Sequence, residues 1–290
     1  MRRRIVKLSV ELYSVAKVFG DHKAIELIKQ AGFDAIDYSY YYEKECDEVL
    51  GENYKEYAKE LRAYIDEAGL SCNQAHAPFT FKYGMNKDIS EPKYLNIVRS
   101  MESASILGAE NIIVHSISVP EDDDLEEYNI EYYRSFIPYC KAFNIRVAVE
   151  NLFTRDPKRN RLIGKIGSPK ELNSILKKID SPWIVACVDV GHAALTGYEP
   201  ENFISRVDPH ILKCLHVQDN DYLEDRHTLP YLADLNWSAV MASLKKSGYE
   251  GDLTFEIVKY IQRFPKELIP DALKFAVVIG RHLISVYANA

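Results

Sequence analysis

The sequence has few cysteines, no long apolar run and no excess of positive charge, and each shortage excludes a class of protein. Its 290 residues contain five cysteines, an odd number, and no C-x-x-C pair of the kind found in redox and zinc motifs. No stretch approaches the roughly 18 uncharged apolar residues that a transmembrane helix needs. Lysine and arginine total 36 against 43 acidic residues, and the net charge of −7 disfavours binding to nucleic acid phosphates.

The N-terminal segment does not match a targeting signal. Met1–Arg4 is basic, as a signal peptide is, but Ile5–Leu12 alternates apolar with polar residues and carries charges. That alternation predicts a first β-strand rather than the apolar stretch of a signal peptide. Three of the cysteines fall in apolar runs, where cysteine behaves as a small buried hydrophobic residue. We therefore expect a protein of the reducing cytoplasm.

Short apolar runs alternate with longer amphipathic segments along the whole chain. A composition of 47% hydrophobic and 27% charged residues excludes a disordered or fibrous protein. The apolar runs predict eight strands: Val6–Leu12, Ala35–Tyr38, Leu70–Ala77, Asn111–Ser116, Arg146–Asn151, Trp183–Val190, Ile211–Val217 and Leu253–Val258. The segments with helical spacing predict eight helices: Asp21–Ala31, Tyr54–Ala68, Lys93–Leu107, Leu125–Phe143, Ser168–Ile179, Pro200–Pro209, Trp237–Ser247 and Pro270–Ala288.

Residues typical of helix ends stand at the boundaries between these segments. Glycines such as Gly69 and Gly248 stand where a helix stops and a strand follows, and Ser168 precedes a proline that suits a first helical turn. The strands are apolar on both faces or nearly so, as a covered parallel sheet requires. Eight alternating units without a break in composition predict an α/β protein, a single (β/α)₈ TIM barrel over residues 1–290, rather than two domains.

Polar residues of metal-binding type end the predicted strands. In a barrel of this kind, catalytic groups belong at the carboxyl ends of the strands and in the loops that follow. Five histidines occupy such positions: His76, His115, His192, His216 and His227. The carboxylates at or just beyond strand ends are Glu150, Asp189, Asp225 and Glu256. Carboxylates that converge on one barrel mouth repel each other unless a cation or protons compensate.

A divalent cation would resolve this repulsion. Glu150, Asp189, His216 and Glu256 end four consecutive predicted strands, which places them along one arc of the mouth. Three carboxylates and one imidazole suit Mn²⁺, Co²⁺, Mg²⁺ or Zn²⁺, with coordination positions left for substrate oxygens. The sequence therefore predicts one catalytic divalent metal ion held by these four predicted ligands.

The segments around these residues resemble the xylose-isomerase-like TIM barrels, the sugar-phosphate isomerase and epimerase group that also includes endonuclease IV. The resemblance covers essentially the whole chain. The matching segments are AHAPF at His76, IIVHS at His115, VAVEN at Glu150, CVDVGHA at Asp189 and His192, LHVQDND at His216, DRHTLP at Asp225 and His227, and TFEI at Glu256.

The resemblance implies a metal-dependent isomerase or epimerase of a small sugar, sugar phosphate or keto-polyol. In the epimerases and isomerases of this group, residues matching the four predicted ligands bind the catalytic metal, which polarises the substrate carbonyl. Glu150 and Glu256 would then serve as acid and base, one removing a proton beside the carbonyl and the other returning it through an enediolate. The substrate-binding residues would be His76, His115, His192, Asp225 and His227.

Endonuclease IV supplies the alternative function. Its members use residues matching all nine positions to hold three zinc ions that cleave DNA at abasic sites. The net charge of −7 counts against a DNA cleft, and Ala77–Phe79 does not match the DNA-penetrating loop of that enzyme. A non-catalytic sugar-binding barrel ranks lowest, because no predicted ligand is missing. We expect a small sugar or polyol as partner, neither membrane nor nucleic acid, and the resemblance implies that self-association is common.

Two further features bear on the substrate. The loop through Arg155 to Lys165 carries five basic residues and one acid, and over the mouth it would receive a phosphate or carboxylate. A solvated loop is the alternative interpretation. Ketose 3-epimerases of the group tend to carry an arginine where this chain has Tyr222, which disfavours a free-ketose 3-epimerase.

Overall fold

Eight parallel strands form a nearly closed barrel, which confirms the predicted (β/α)₈ fold. The computed structural model describes residues 6–41, 47–120, 123–156 and 161–290. The barrel strands are β1 (Leu8–Glu11), β2 (Ala35–Ser39), β3 (Ser71–His76), β4 (Asn111–Val114), β5 (Arg146–Glu150), β8 (Ile184–Asp189), β9 (Leu212–His216) and β10 (Leu253–Phe255). Between β5 and β8 lies an antiparallel hairpin of β6 (Phe153–Asp156) and β7 (Arg161–Gly164).

Helices follow the strands and pack apolar faces against them. Their bounds are α1 (Tyr13–Phe19), α2 (Asp21–Ala31), α3 (Asp47–Leu50), α4 (Tyr54–Glu67), α5 (Pro92–Leu107), α6 (Leu125–Ser135), α7 (Ile137–Phe143), α8 (Pro169–Ile179), α9 (Val190–Leu195), α10 (Pro200–Ile204), α11 (Trp237–Ser247), α12 (Val258–Ile261) and α13 (Ile269–Asn289). In α8 the buried Leu172, Ile175, Leu176 and Ile179 recur at the spacing of one helix face. No helix of the described residues is long and apolar enough to cross a membrane.

The barrel closes between the residue after β9 and the end of β10. The backbone N–H of Val217 donates to the carbonyl of Thr254 at 2.8 Å, and the N–H of Glu256 donates to the carbonyl of Val217 at 3.1 Å. This pairing brings the last residue of β9, His216, beside Glu256. Two predicted metal ligands from different strands therefore become neighbours through backbone hydrogen bonds alone.

The predicted helix over Leu125–Phe143 is divided in the structure. It ends at Ser135 and restarts as α7, with Pro138 in the first turn of the new helix. A proline has no N–H to donate to the preceding turn, and its ring clashes with that turn's carbonyl, so the division at Phe136 has a local cause. The predicted helix from Pro200 also stops early, at Ile204.

Short elements at the carboxyl ends of the strands were not predicted. They include α1, α9, α12 and the β6–β7 hairpin, and they surround the mouth of the barrel. The most consequential is α9, because Asp189 caps it by accepting the N–H of His192 at 2.7 Å. His192 therefore lies on a helix that begins directly after its strand.

The barrel interior changes from apolar to polar towards the mouth. A small buried cluster fills the middle: Ile113, Ala148, Val185, Cys187 and Cys214. Within the barrel, Gln74 donates to Asp37 Oδ2 at 2.8 Å and accepts from Thr254 at 3.3 Å, and Asp37 in turn contacts His216. This hydrogen-bonded group supports the site through Asp37, which contacts both Gln74 and His216.

Candidate metal centre at the barrel mouth

The four predicted ligands meet at the carboxyl ends of their strands. Glu150, Asp189 and His216 are the last residues of β5, β8 and β9, and Glu256 directly follows β10. Each offers one donor atom, and these four atoms lie within 4.8 Å of one another. All four side chains are buried. The structure thus brings together the predicted group in a form that one cation could bridge.

His216 stands between the carboxylates. Its Nδ1 atom lies 2.6 Å from Glu150 Oε1 and 3.4 Å from Glu256 Oε2. Its Nε2 atom faces Asp37 Oδ2 at 3.3 Å. The contact with Asp37 favours a proton on Nε2, which leaves Nδ1 as the nitrogen available to a metal.

Asp189 is fixed from two sides. The side chain of Asn151 clamps its backbone, accepting the Asp189 N–H at 2.8 Å and donating to the Asp189 carbonyl at 3.0 Å. Gln218 donates to Asp189 Oδ2 at 3.0 Å and accepts the backbone N–H of His227 at 2.7 Å. Gln218 therefore couples the position of one predicted ligand to the loop that carries another site residue.

One buried carboxylate oxygen of the group accepts no hydrogen bond from the described residues. Glu256 Oε1 accepts from the Tyr41 hydroxyl at 2.7 Å, whereas the buried Oε2 atom of Glu256 has no hydrogen-bond donor. A buried carboxylate oxygen without a donor is costly, and a bound cation removes that cost. Both the set of ligand atoms and this Glu256 oxygen therefore fit a divalent metal ion.

The electrostatics of the group depend on His216. Burial raises the pKa of Glu150, but His216 and the hydrogen bond from His115 hold it well below its ordinary value. Burial lowers the pKa of His216, yet the charges of Glu256 and Glu150 raise it well above the ordinary value. Burial, together with Glu256 and Glu150, raises the pKa of Asp189 to about 6. In the absence of a metal, the imidazolium of His216 supplies the compensating positive charge.

A second cluster shares Glu150. His76 ends β3, His115 follows β4, and one donor atom of each lies within 4.8 Å of a Glu150 oxygen. His115 Nε2 is 2.8 Å from Glu150 Oε2 and 3.1 Å from His76 Nε2. Phe79 stacks on Tyr41 with ring centroids 4.9 Å apart and covers both histidines. The aromatic pair forms one wall of the mouth.

A third cluster lies on the opposite rim. His192, Asp225 and His227 also offer donor atoms within 4.8 Å of one another. His227 Nε2 is 2.9 Å from Asp225 Oδ2, and Lys259 donates to the Asp225 backbone carbonyl. Burial lowers the pKa of His227, but Glu256 and Asp225 raise it to about 10. This cluster is consequently held together by ion pairing even without a metal.

The three clusters open into one cavity. Its volume is about 580 Å³ and its lining includes Glu150, His192 and Glu256 together with the aromatic rings of Tyr41, Phe79 and Phe153. A cavity of this size accommodates a small organic molecule, with apolar walls and converging polar groups at the base. All nine residues predicted from the sequence therefore come together around the mouth.

Sequence reasoning did not identify the residues that hold the ligands in place. Asp37, Asn151 and Gln218 each contact a predicted ligand. Asp37 could have been noticed as a lone charge within an apolar strand. Asn151 and Gln218 lie one and two residues beyond a predicted ligand, which is a weak signal. Of the basic loop, residues 157–160 lie outside the described part of the chain.

Comparison with known proteins decides the family. The family model for xylose isomerase-like TIM barrels matches residues 25–277. The chain belongs to this family. An uncharacterized protein of Sinorhizobium fredii is 23% identical over 266 residues, covering 82% of this chain and 81% of the relative. An uncharacterized protein of Methanocaldococcus jannaschii is 26% identical over 190 residues, so the match spans only 62% of each chain.

Solved structures of low sequence identity share the fold. A D-tagatose 3-epimerase-like protein is 22% identical with a TM-score of 0.70, covering 95% of this chain and 98% of that one. The IolI protein, described with a bound zinc atom, is 16% identical with a TM-score of 0.72, covering 97% and 99%. The 3-keto-D-glucoside 4-epimerase YcjR from E. coli is 16% identical with a TM-score of 0.67, covering 94% and 99%.

Proposed function

We propose that this protein, one barrel domain over residues 1–290, is a divalent-metal-dependent isomerase or epimerase of a small sugar, sugar phosphate or keto-polyol. The observation that carries the proposal is the group of Glu150, Asp189, His216 and Glu256, buried and converging within 4.8 Å at the base of a cavity. The epimerases that share this fold support the same chemistry. Tyr222, which stands where free-ketose 3-epimerases tend to carry an arginine, donates to Glu199 at 2.7 Å.

The four predicted ligands would hold one Mn²⁺, Co²⁺, Mg²⁺ or Zn²⁺ ion. When bound, such an ion polarises a substrate carbonyl and makes the neighbouring C–H more acidic. The zinc atom described for the IolI protein supports a metal in this family. Asp37 would keep His216 oriented, and Asn151 and Gln218 would keep Asp189 oriented, through the contacts described above.

Glu150 and Glu256 would carry out the two proton transfers. Glu150 is an ionised carboxylate, since the surrounding histidines hold its pKa well below the ordinary value, and it can accept a proton from carbon. Glu256 receives a hydrogen bond from Tyr41, which fixes its orientation for the second transfer. Return of the proton to the same carbon gives epimerisation, and return to the adjacent carbon gives isomerisation. His192 and His227 would bind substrate hydroxyls.

Hydrogen exchange tests the proposal directly. The metal-loaded protein is incubated in D₂O with a panel of ketoses and ketose phosphates, and deuterium incorporation beside the carbonyl is followed by NMR. We expect exchange in the unaltered protein and a loss of about 100-fold or more in Glu150→Gln and in Glu256→Gln. Exchange retained in both variants would contradict the assigned roles. Absence of exchange with the whole panel would contradict the proposed reaction.

One observation favours a second candidate function. The clusters His76–His115–Glu150 and His192–Asp225–His227 flank the central group and have the residue types of zinc sites. Together the nine residues fit the three-zinc phosphodiesterase of the endonuclease IV type, which would use nucleic acid containing abasic sites. Incubation of the zinc-loaded protein with an abasic-site duplex separates the candidates. Efficient cleavage would favour the nuclease, and we expect none.

The remaining predictions concern partners and location. We propose a small-molecule sugar or polyol as the substrate, without a nucleic acid or membrane partner. A cytoplasmic location and self-association stay predictions. The four cysteines within the described residues are free and buried, which is compatible with a reducing compartment.

A further inference from the structure

A side chamber opens beside the mouth of the barrel. It has a volume of about 400 Å³, and it shares Phe79, His115 and Lys165 with the wall of the main cavity. We call this chamber the annex. Its remaining polar lining includes Ser116, Ser118 and Lys82. A substrate bound at the four predicted ligands would therefore reach the annex by passing the shared side chains.

The annex is positively charged in an acidic protein. Its lining contains two lysines and, among the described residues that form it, neither aspartate nor glutamate. The main cavity differs, because Glu150, Asp225 and Glu256 line it beside Lys17, Lys165 and Lys259. The described lining of the annex therefore favours an anion, whereas the main cavity offers groups of both signs.

Lys165 is fixed between two barrel strands. Its backbone N–H donates to the Leu152 carbonyl at 2.9 Å, just beyond β5. Its carbonyl accepts from the Ser116 hydroxyl at 3.2 Å, just beyond β4. The next residue, Ile166, is buried with a φ of 70°, a conformation that β-branched residues rarely adopt. Such strain persists only where the surrounding structure imposes it, so the backbone at Lys165 is well determined.

The ammonium group of Lys165 has no carboxylate partner among the described residues. The three other lysines of the mouth and annex differ: Lys259 contacts Asp225, Lys17 donates to Tyr13, and Lys82 is exposed to solvent. Burial lowers the pKa of Lys165 to about 8. A half-buried cation that pairs with no carboxylate of the described residues is a ready partner for an anionic ligand.

We propose that the annex binds an oxyanion, a phosphate or a carboxylate carried by the substrate, with Lys165 as its main contact. The proposal rests on the proposed function and narrows it to sugars that bear a negative charge. Lys165 pairs with the anion, while Lys82 adds a weaker attraction from the rim. The hydroxyl of Ser118 supplies a further donor, while the Ser116 hydroxyl holds the Lys165 carbonyl. The reacting carbons of the same molecule lie at the four predicted ligands in the main cavity.

Anion titration of the full-length, metal-loaded protein tests the annex without turnover. Inorganic phosphate and acetate are titrated separately by calorimetry into the unaltered protein, Lys165→Met and Lys82→Met. We expect saturable binding that weakens about tenfold in Lys165→Met and about threefold in Lys82→Met. An anion that binds directly to the metal binds all three proteins alike, so a difference in anion affinity between them measures binding in the annex. Lys165→Arg should keep most of the affinity.

A matched control is Lys274→Met, which removes an exposed lysine of α13 that pairs with Asp271. Its anion affinity should equal that of the unaltered protein. Loss of affinity for phosphate alone identifies a phosphate site, loss for acetate alone identifies a carboxylate site, and loss for both supports the shared oxyanion. Three results would contradict the proposal that the annex binds an oxyanion. These are unchanged affinity for both anions in Lys165→Met, an equal loss of affinity in Lys274→Met, and the absence of saturable binding. Hydrogen exchange with ketoses tests the reaction separately.

Discussion

The Nε2 atom of His216 lies 3.3 Å from the Oδ2 atom of the buried Asp37, on the side of the ring away from Glu150. A carboxylate behind a metal-binding imidazole fixes the ring and raises its basicity. We therefore expect Asp37→Asn to weaken divalent-metal affinity by about 10- to 100-fold. Competition against a chromophoric chelator measures this affinity without reference to activity.

The control for Asp37 is another buried carboxylate at the same end of the barrel. Glu11 accepts the backbone N–H of Ser14 at 2.9 Å and contacts the Ser14 hydroxyl, so its loss should leave His216 oriented. Glu11→Gln is expected to keep metal affinity within about threefold of the unaltered protein. Equal losses in the two variants would argue against a specific role for Asp37.

Gly191 has no room for a side chain. A Cβ atom there would lie 2.6 Å from Cδ of Gln218, the residue that bonds both Asp189 and the backbone of His227. We expect Gly191→Ala to displace Gln218 and to lower metal affinity by about tenfold. Gln218→Leu should cause a similar loss. Because both changes break the same contact, their effects should not add in the double variant, and additive losses would count against this explanation.

Tyr41 adds a hydrogen bond to Glu256, whose pKa is raised by burial but held below its ordinary value by the charges of His216 and His227. Its hydroxyl donates to Glu256 Oε1 at 2.7 Å, and a hydrogen bond to a carboxylate stabilises the ionised form by about 1.5–3 kcal/mol. In Tyr41→Phe the acid limb of the pH–rate profile for hydrogen exchange should move to higher pH, with a lower maximal rate. Tyr94→Phe removes a hydroxyl that bonds Ser135 in the helical layer and should leave the profile unchanged.

Glu11 makes stability depend on pH. Burial raises its pKa from 4.5 to about 8, although the hydrogen bonds from Ser14 oppose the shift. Between these two values the folded protein keeps the proton that the unfolded chain has lost, so the free energy of unfolding falls as pH rises. Glu11→Gln should flatten this slope and gain on the order of a few kcal/mol at pH 8 relative to pH 5.

Denaturant unfolding in the presence of EDTA measures that slope, because chelation removes the separate contribution of metal binding. Glu67→Gln is the control, since Glu67 is exposed on α4. It should show the same slope as the unaltered protein. His216 and His227, whose pKa values are also raised, leave part of the slope in Glu11→Gln. A slope unchanged from that of the unaltered protein would contradict the raised pKa of Glu11.

The sequence was sufficient to predict the barrel and the residues at its mouth. Each apolar run that ends in a polar residue marks a strand end, and a closed parallel barrel gathers all such ends on one face. The sequence alone therefore predicts that Glu150, Asp189 and His216 lie together, and each ends its strand in the structure.

The contacts that orient these residues could not be predicted, because they depend on strand register. The pairing of β2 with β3 shifts between Ile36 and Asp37, and such an irregularity changes where the following side chains point. Asp37 reaches His216 across the barrel from this position. The sequence likewise predicts a loop where the structure has the β6–β7 hairpin, since this segment lacks the apolar alternation of a strand.

The metal content of the purified protein tests the central claim most directly. Inductively coupled plasma mass spectrometry, with protein concentration from amino-acid analysis, gives the number of metal ions per chain. The central group of Glu150, Asp189, His216 and Glu256 predicts one divalent ion per chain, reduced in Glu256→Gln. Three zinc ions per chain, or no bound divalent metal after incubation with Mn²⁺, Co²⁺, Mg²⁺ and Zn²⁺, would contradict a single-metal isomerase or epimerase.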